Sequence, residues 1–448
     1  MEYKIFGCKT NKYFTDRWAE SPLLEGKQGV FISSCVVTDK AKSKWVRFAK
    51  QKLKTLKDGE KLYLSGCGSL KEGNIDKDFY TIYPELVDFR DKIELLPEDP
   101  PHPLAPSLFV GEGEQGRLPS PSKERGRGGG LLDEGGSDLK SRLQKAAILG
   151  TGLHTKKFIV IQTGCDNFCT FCLTVQARGR HKSRPSEDII AEIRDFVASG
   201  GKEVVLTGTN LGAWGADSSE NVDKSRFPEL LAEILEKTTI ERLRVSSLGV
   251  EFVDDRLLEL FRKPRVSAYV HLSIQSGSEN ILRSMNRHYD RAKLLQVLGD
   301  LRSLKREDEV QINVGADLIV GFPGETDADF RDTLELVRAY GITQLHAFPF
   351  SAHHDHYSVP AGKFPNQVDE KIKTDRLNTL LNEGERIKQG FLRANDGKCF
   401  HVLVEGKGIG WTENYIECTP ENFEPETGRT FEKRKIIPGV YRHVTVTG

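Results

Sequence analysis

Cys165-Asp166-Asn167-Phe168-Cys169-Thr170-Phe171-Cys172, directly after the apolar run Phe158–Gln162, is the stretch from which the rest of the chain is read. The preceding run, rich in β-branched and aromatic side chains, predicts a buried strand. Three thiols separated by three and then two residues can ligate three irons of a [4Fe–4S] cluster from one loop. The fourth iron is then open to a small molecule. Structural zinc normally takes four ligands in two separated pairs, and no second pair lies nearby. Three buried free thiols are the competing reading, but so tight a thiol cluster has little packing use.

Outward from this loop, from Lys157 to about Ser351, strand-like and helix-like segments alternate. Phe158–Gln162, Glu203–Leu206, Arg242–Ser246, Val270–Ile274, Ile312–Val320 and Gln344–Phe350 read as strands. Among the amphipathic segments between them, Ser186–Ser199 is clearest. Ser186 is the expected N-cap, Ile189, Ile193 and Phe196 share a face, and Gly200 stops the helix. Six βα units predict a parallel sheet, curved as a partial (β/α)6 barrel or fully open, with its site at the carboxyl ends of the strands.

Residues 1–96 read as a separate small α/β domain. Tyr3–Phe6, Gly29–Ile32 and Lys61–Leu64 look like short strands, each running into a cysteine: Cys8, Cys35 and Cys67. Helices from Asn11 and from Asp39 separate them. Ligands collect beyond the carboxyl ends of parallel strands, so these three thiols can converge although they lie ~30 residues apart. Residues 97–152 change character, with five prolines from Pro97 to Pro106 and the run Gly128-Gly129-Gly130, and read as a largely disordered linker. Residues 153–392 hold the βα units and a long polar helix over Asp369–Leu392. Residues 393–448, with strands expected at Lys398–Leu403, Asn414–Cys418 and Val440–Val446, read as a small antiparallel β-barrel.

Composition narrows the function classes. Of 448 residues, 65 are Lys or Arg and 65 Asp or Glu, and this zero balance excludes a bulk polycation. A hydrophobic content of 38 % excludes wholesale disorder. No stretch approaches the ~18 consecutive apolar residues of a membrane span, and Met1–Gly7 is no signal peptide, so a soluble cytoplasmic protein is expected. Without secretion, eight cysteines point to metal or redox chemistry rather than to a disulfide framework.

The cysteine loop and its βα order resemble the radical S-adenosylmethionine (SAM) superfamily. That resemblance implies that Cys165, Cys169 and Cys172 hold a [4Fe–4S] cluster whose open iron chelates SAM. An electron then cleaves the sulfonium to a 5′-deoxyadenosyl radical. It also implies that Leu206-Thr207-Gly208 hold the SAM amino end, that Gly321, Phe322 and Pro323 line the adenine, and that Gln275 and Ser276 face the ribose. Gly7-Cys8-Lys9-Thr10-Asn11, Ser33-Ser34-Cys35-Val36-Val37-Thr38 and Ser65-Gly66-Cys67 resemble the ligand segments of the methylthiotransferases, where they hold a second, sulfur-carrying [4Fe–4S] cluster. His271–Ser278, Met285-Asn286-Arg287 and Ile319–Thr326 add to the likeness, which covers nearly the whole chain outside the linker.

Leu206–Gly215 and Ala177-Arg178-Gly179-Arg180 are most similar to the branch acting on threonylcarbamoyladenosine in tRNA. The implied reaction is methylthiolation of adenine carbon two, with tRNA as partner, an external electron donor, a sulfur source and no metal other than iron. Isopentenyl-adenosine in tRNA or a ribosomal protein are alternative substrates, and a non-catalytic iron–sulfur RNA-binding protein is the alternative without chemistry. Expected RNA contacts are Arg178, Arg180, Lys182 and Arg184, with a solvated loop as the competing reading. The eight basic residues from Lys40 to Lys57 divide evenly between a solvated face and RNA binding. The C-terminal residues resemble the TRAM module, in which Trp411 and Tyr415 either stack on RNA or fill the core. Trp214 likewise reads as base-stacking or as local packing, and Cys399 and Cys418 as strand packing. Two segments depart from the family pattern: Phe350–Tyr357, with three histidines, and Gly249-Val250-Glu251 in place of a glutamate-proline pair.

Overall fold

The computed structural model describes residues 1–36, 38–100, 156–216, 224–352, 358–404, 410–418 and 431–435. The expected strand Val440–Val446, the histidine turn 353–357 and most of the 97–152 linker lie outside the described residues.

The N-terminal unit is a four-stranded parallel sheet of β1 (Glu2–Ile5), β2 (Gly29–Ser34), β3 (Lys61–Gly66) and β4 (Ile93–Leu95), paired in that order. Helices α1 (Lys9–Glu20) and α2 (Asp39–Leu53) connect the first three. Thr38 caps α2 by accepting the Ala41 N–H. The fourth strand was not expected. It is only Ile-Glu-Leu, too short for a period to register. The stretch read as linker begins as ordered chain: Trp18 and Ser65 both donate to the Pro97 carbonyl.

In the central unit, β5 (Lys156–Thr163), β6 (Glu203–Gly208), β7 (Arg242–Val245), β8 (Tyr269–Gln275), β9 (Asn313–Val320) and β10 (Gln344–Pro349) match the six expected strands within a few residues. β5, β6 and β7 are parallel neighbours, as are β8, β9 and β10. Two parallel bridges, Leu243 to Val266 and Leu248 to Leu272, join the two halves in sequence order. One side of every strand, including Ile159, Leu206, Leu243, Leu272 and Leu318, packs with the helices in a single core. The helix expected from Ser186 is present at Ser186–Ala198, but Pro185 occupies its N-cap and Ser186 is the first helical residue.

The other face of the sheet is polar and rolled. Lys9, at the start of α1, lies under the electrostatic influence of Arg244 on β7, Asp317 on β9 and Lys156 on β5. In a flat sheet β5 and β9 would stand about 19 Å apart, four strand spacings, so curvature brings them to one ammonium group. Helix α1 lies against this inner face, Tyr13 and Phe14 packing on Phe158 and Val160.

The C-terminal unit, β11 (Cys399–Val404), β12 (Gly410–Trp411), β13 (Glu417–Cys418) and β14 (Phe431–Lys435), is an antiparallel sheet. It seats against the amino ends of the central strands. Arg242 donates to the carbonyls of His401 (2.7 Å) and Trp411 (3.0 Å), and Asn313 to that of Asn414 (2.8 Å). Glu203 anchors this floor, 3.0 Å from Arg244 Nε and 3.4 Å from Arg242 Nη1, all three buried. Burial raises the Glu203 carboxyl, but Arg244 and Arg242 outweigh it and hold it at about 2.

Glu203→Gln removes the counter-charge that two buried guanidinium groups share, and a loss of about 3–5 kcal/mol in urea unfolding is expected. Because the folded carboxyl titrates below its ordinary value of 4.5, its contribution is complete above that pH and is lost as pH falls toward about 2. Unfolding measured across that window should therefore show a steeper acid loss in the native protein than in the variant.

Candidate metal and SAM site

The cysteine loop leaves the carboxyl end of β5, and Gln162 shapes its start. The Gln162 side chain donates to the carbonyls of Thr163 (2.8 Å) and Gly164 (2.6 Å) and accepts the Asn210 N–H at 2.8 Å. Asn167 holds the loop's middle, donating to Glu251 Oε1 at 3.3 Å, while Asn286 donates to its carbonyl at 3.1 Å. Each sulfur has an N–H donor beside it: Asn167 N on Cys165 (3.5 Å), Arg287 Nη1 on Cys169 (3.2 Å) and Thr174 N on Cys172 (3.4 Å). Donors grouped around sulfur stabilise thiolate, the form that binds metal. Burial raises the Cys169 thiol, with Arg287 opposing.

The other three thiols gather at the carboxyl ends of β1, β2 and β3. Cys67 is buried and lies under the influence of Cys35 and Cys8; burial pushes its thiol up to about 12 against the pull of Arg178. Metal ligation would displace that proton. A Cβ on Gly7 would stand 3.2 Å from the Cys35 Cβ, so the segment before Cys8 also passes beside Cys35.

Arg178 joins the two sets. It ends the short helix Thr174–Arg178 that follows Cys172, and its Nε donates to Cys67 Sγ at 3.2 Å. Its Nη2 donates to Asn11 Oδ1 at 2.8 Å, and its Nη1 pairs with Glu98. The same helix offers the carbonyls of Gln176 and Ala177 to the N–H groups of Glu72 and Gly73. At this docking point Gly179 has φ +73, and a Cβ there would come within 2.9 Å of the Glu72 carbonyl oxygen, so only glycine fits. One apolar cluster spans both units: Val30, Ile32 and Trp45 share it with Leu173, Ile281, Met285 and Phe322.

The expected SAM contacts all lie on this same rim. Thr207 and Gly208 end β6, Gln275 ends β8 in a left-handed conformation (φ 71°) and Ser276 follows it, and Gly321, Phe322 and Pro323 follow β9. Two of the side chains are taken up internally. Ser276 Oγ lies 3.4 Å from Thr333 Oγ1, and Phe322 packs edge-on against Phe350 with centroids 5.3 Å apart. Only their backbones are left to face a ligand. Sequence reasoning missed Glu251, whose Oε2 is buried without a hydrogen bond beside the cysteine loop and 3.8 Å from Arg287. Its sole signal was the departure from the family pattern at Gly249–Glu251.

The expected RNA contacts divide. Arg178 is buried, with Nε on Cys67, Nη2 on Asn11 and Nη1 ion-paired with Glu98, so it is a bridge and not a phosphate ligand. Arg184 is half-buried, 3.0 Å from Glu192 and 2.9 Å from the Tyr13 hydroxyl. Arg180 and Lys182 are exposed, Arg180 lying 4.8 Å from the centroid of the exposed Phe168 ring. Tyr415 stacks on Trp411 (4.4 Å) and on Tyr269 (4.5 Å), at the end of the sheet opposite the cysteine loop, which settles its ring as packing. Trp214 is also packing, buried with its N–H on the Arg184 carbonyl. Cys418 is buried as expected; Cys399 is exposed instead.

Residues 159–337 match the model of the radical SAM superfamily. Over 434 residues the chain is 31 % identical to a threonylcarbamoyladenosine tRNA methylthiotransferase (MtaB) of Thermotoga maritima, covering 93 % of this chain and 90 % of that one. The chain belongs to the radical SAM methylthiotransferases. A tRNA-2-methylthio-N(6)-dimethylallyladenosine synthase of Clostridium perfringens is 32 % identical, with 91 % and 88 % covered. The MtaB of Rickettsia prowazekii is 29 % identical, with 93 % and 90 % covered. This methylthiotransferase is therefore an enzyme whose cofactors are SAM and [4Fe–4S] clusters, and the donor-rich thiol sets suit such clusters. Among the described residues no helix is long and apolar enough to cross a membrane.

Arg178→Met removes the cation facing buried Glu98. Denaturant unfolding of the iron-free protein is expected to lose about 3–5 kcal/mol. A loss below about 1 kcal/mol, the value of an exposed pair, would show that Arg178 does not hold the two units together.

Proposed function

We propose that this methylthiotransferase acts on tRNA in the cytoplasm, placing a methylthio group on carbon two of the N6-threonylcarbamoyladenosine beside the anticodon. The observation that carries the two-cluster reading is the Arg178 bridge, which ties the Cys8/Cys35/Cys67 set to the loop of Cys165, Cys169 and Cys172. In this reading residues 1–96 hold the sulfur-carrying cluster, residues 153–392 form the radical SAM partial barrel, and residues 393–448 form a TRAM-like RNA-binding module. Residues 97–152 link the first two. Bound at the two thiol sets, the clusters and SAM supply the one-electron and sulfur-transfer chemistry of the family. An external reductant and a sulfur source complete the reaction.

The chain's own residues bind, orient and exclude water. Arg287 places its guanidinium against Cys169 of one set and Arg178 against Cys67 of the other, lowering the cost of gathering negative charge in a buried place. Gln162, Asn167 and Asn286 fix the loop so that its open side faces the rim where Thr207, Gly208, Gln275 and Gly321 lie. Oε2 of Glu251 accepts no hydrogen bond, its nearest cation being Arg287 at 3.8 Å, and is an acceptor suited to a cationic amino group, such as the one SAM carries. Exposed Arg180 and Lys182 border the same end and can meet phosphate.

The identity to the Clostridium perfringens dimethylallyladenosine synthase supports a second reading, in which the base carries a dimethylallyl group. Mass spectrometry of tRNA nucleosides from a deletion strain separates the two. The first reading expects loss of methylthio-threonylcarbamoyladenosine alone, and loss of the dimethylallyl derivative overturns it. Anaerobic reconstitution should give about eight irons per chain, falling to about four in Cys67→Ala and in Cys169→Ala. Cys169→Ala should abolish 5′-deoxyadenosine formation. Continued formation would overturn the assignment of that loop.

A further inference from the structure

The inner face of the rolled sheet carries polar groups that the cluster and SAM chemistry leaves unused. On β8, β9 and β10, His271 Nε2 lies 3.0 Å and His346 Nδ1 3.4 Å from one oxygen of Asp317. Tyr269 OH stands 2.7 Å from His271 Nδ1, and the pair passes over Gly315, where a Cβ would meet the phenol oxygen at 2.2 Å. Burial raises the Asp317 carboxyl, but the two imidazoles outweigh it and hold it below the usual carboxylate range. A carboxylate only accepts, so in this geometry the ring nitrogen of each histidine that faces Asp317 is its donor. His271 is left to accept from Tyr269, and His346 presents Nε2 outward as an acceptor with no partner among the described residues. The His346 side chain is 59 % exposed.

Beside this chain lie two cationic side chains. Arg244 spends Nε and Nη2 on Glu203, whereas its Nη1 is buried without a partner. The Lys9 ammonium, next in sequence to Cys8, lies under the influence of both Arg244 and Asp317. The face thus offers an acceptor at His346 and N–H donors at Arg244 Nη1 and Lys9. A divalent cation at His271, Asp317 and His346 is the obvious alternative occupant. Two neighbouring cations oppose it and favour an anionic group instead.

We propose that this inner face is the pocket for a polar, carboxylate-bearing N6 substituent of the target adenine, with His346 as a specificity-determining residue. The pocket rests on the threonylcarbamoyl reading above. The carbamoyl and hydroxyl protons of that substituent suit His346 Nε2, and its carboxylate suits Arg244 and Lys9. A dimethylallyl group would leave these donors and the acceptor desolvated and unpaired, and a site built around polar groups rejects such an analogue strongly.

The test uses fully reconstituted enzyme and three anticodon stem-loops that differ only at one adenine: unmodified, threonylcarbamoylated or dimethylallylated. Affinities are read by fluorescence anisotropy, and iron content is checked in each variant. The native enzyme is expected to bind the threonylcarbamoyl stem-loop more tightly than the unmodified one. His346→Leu should weaken the threonylcarbamoyl stem-loop about tenfold and leave the other two unchanged, and His346→Gln, which keeps a polar group, should recover part of the loss. Equal weakening of all three, or no weakening of any, overturns the pocket. So does about one equivalent of a non-iron metal that His346→Leu removes. If instead the native enzyme methylthiolates only the dimethylallyl stem-loop, the substrate reading itself has failed. If it acts on the threonylcarbamoyl stem-loop and His346→Leu binds that stem-loop like the native enzyme, the pocket alone has failed.

Discussion

A single buried guanidinium holds this architecture together. Arg178 reaches from the helix after one thiol set to a sulfur of the other, donates to Asn11 and is ion-paired with Glu98. A buried cation is tolerated only where its partners are in place, so the position of the N-terminal sheet is coupled to the cysteine loop. The glycine contact at Gly179 and the shared apolar cluster around Phe322 reinforce the same docking.

From that docking the division of labour in the fold follows. The carboxyl ends of two parallel sheets, one in each unit, face one region, and all six cysteines proposed as ligands lie there. The opposite, amino-terminal end of the central sheet is closed by the C-terminal unit through Arg242, Glu203 and the Tyr415 stack. Helix α1 closes the inner face from the side. Together these cover the inner face at its amino-terminal end and along α1, while His346 on β10 stays open to solvent.

The sequence made the skeleton legible because its signals are local. Six central strands and three of the N-terminal strands stand out by apolar runs, and each N-terminal run points to its cysteine. The strand Ile93–Leu95 escaped because three residues carry no period. Arg178 was misjudged for a different reason: in a sequence, an arginine among arginines looks solvated, and its buried partner Glu98 lies far upstream, inside a stretch that composition assigns to a linker. Tyr415 and Trp214 resolve toward packing because tertiary neighbours, Tyr269 and the Arg184 carbonyl, cannot be read locally. The Tyr269–His271–Asp317–His346 chain is assembled from three strands, and only strand register brings it together.

The reading proposed above puts two clusters side by side, one on each of the thiol sets that Arg178 joins. Electron paramagnetic resonance of the doubly reduced, reconstituted enzyme tests it most directly. The account predicts a spectrum broadened by spin–spin coupling between two [4Fe–4S]⁺ centres, collapsing to one uncoupled signal when Cys67 is replaced by alanine. A plain sum of two isolated signals would contradict it.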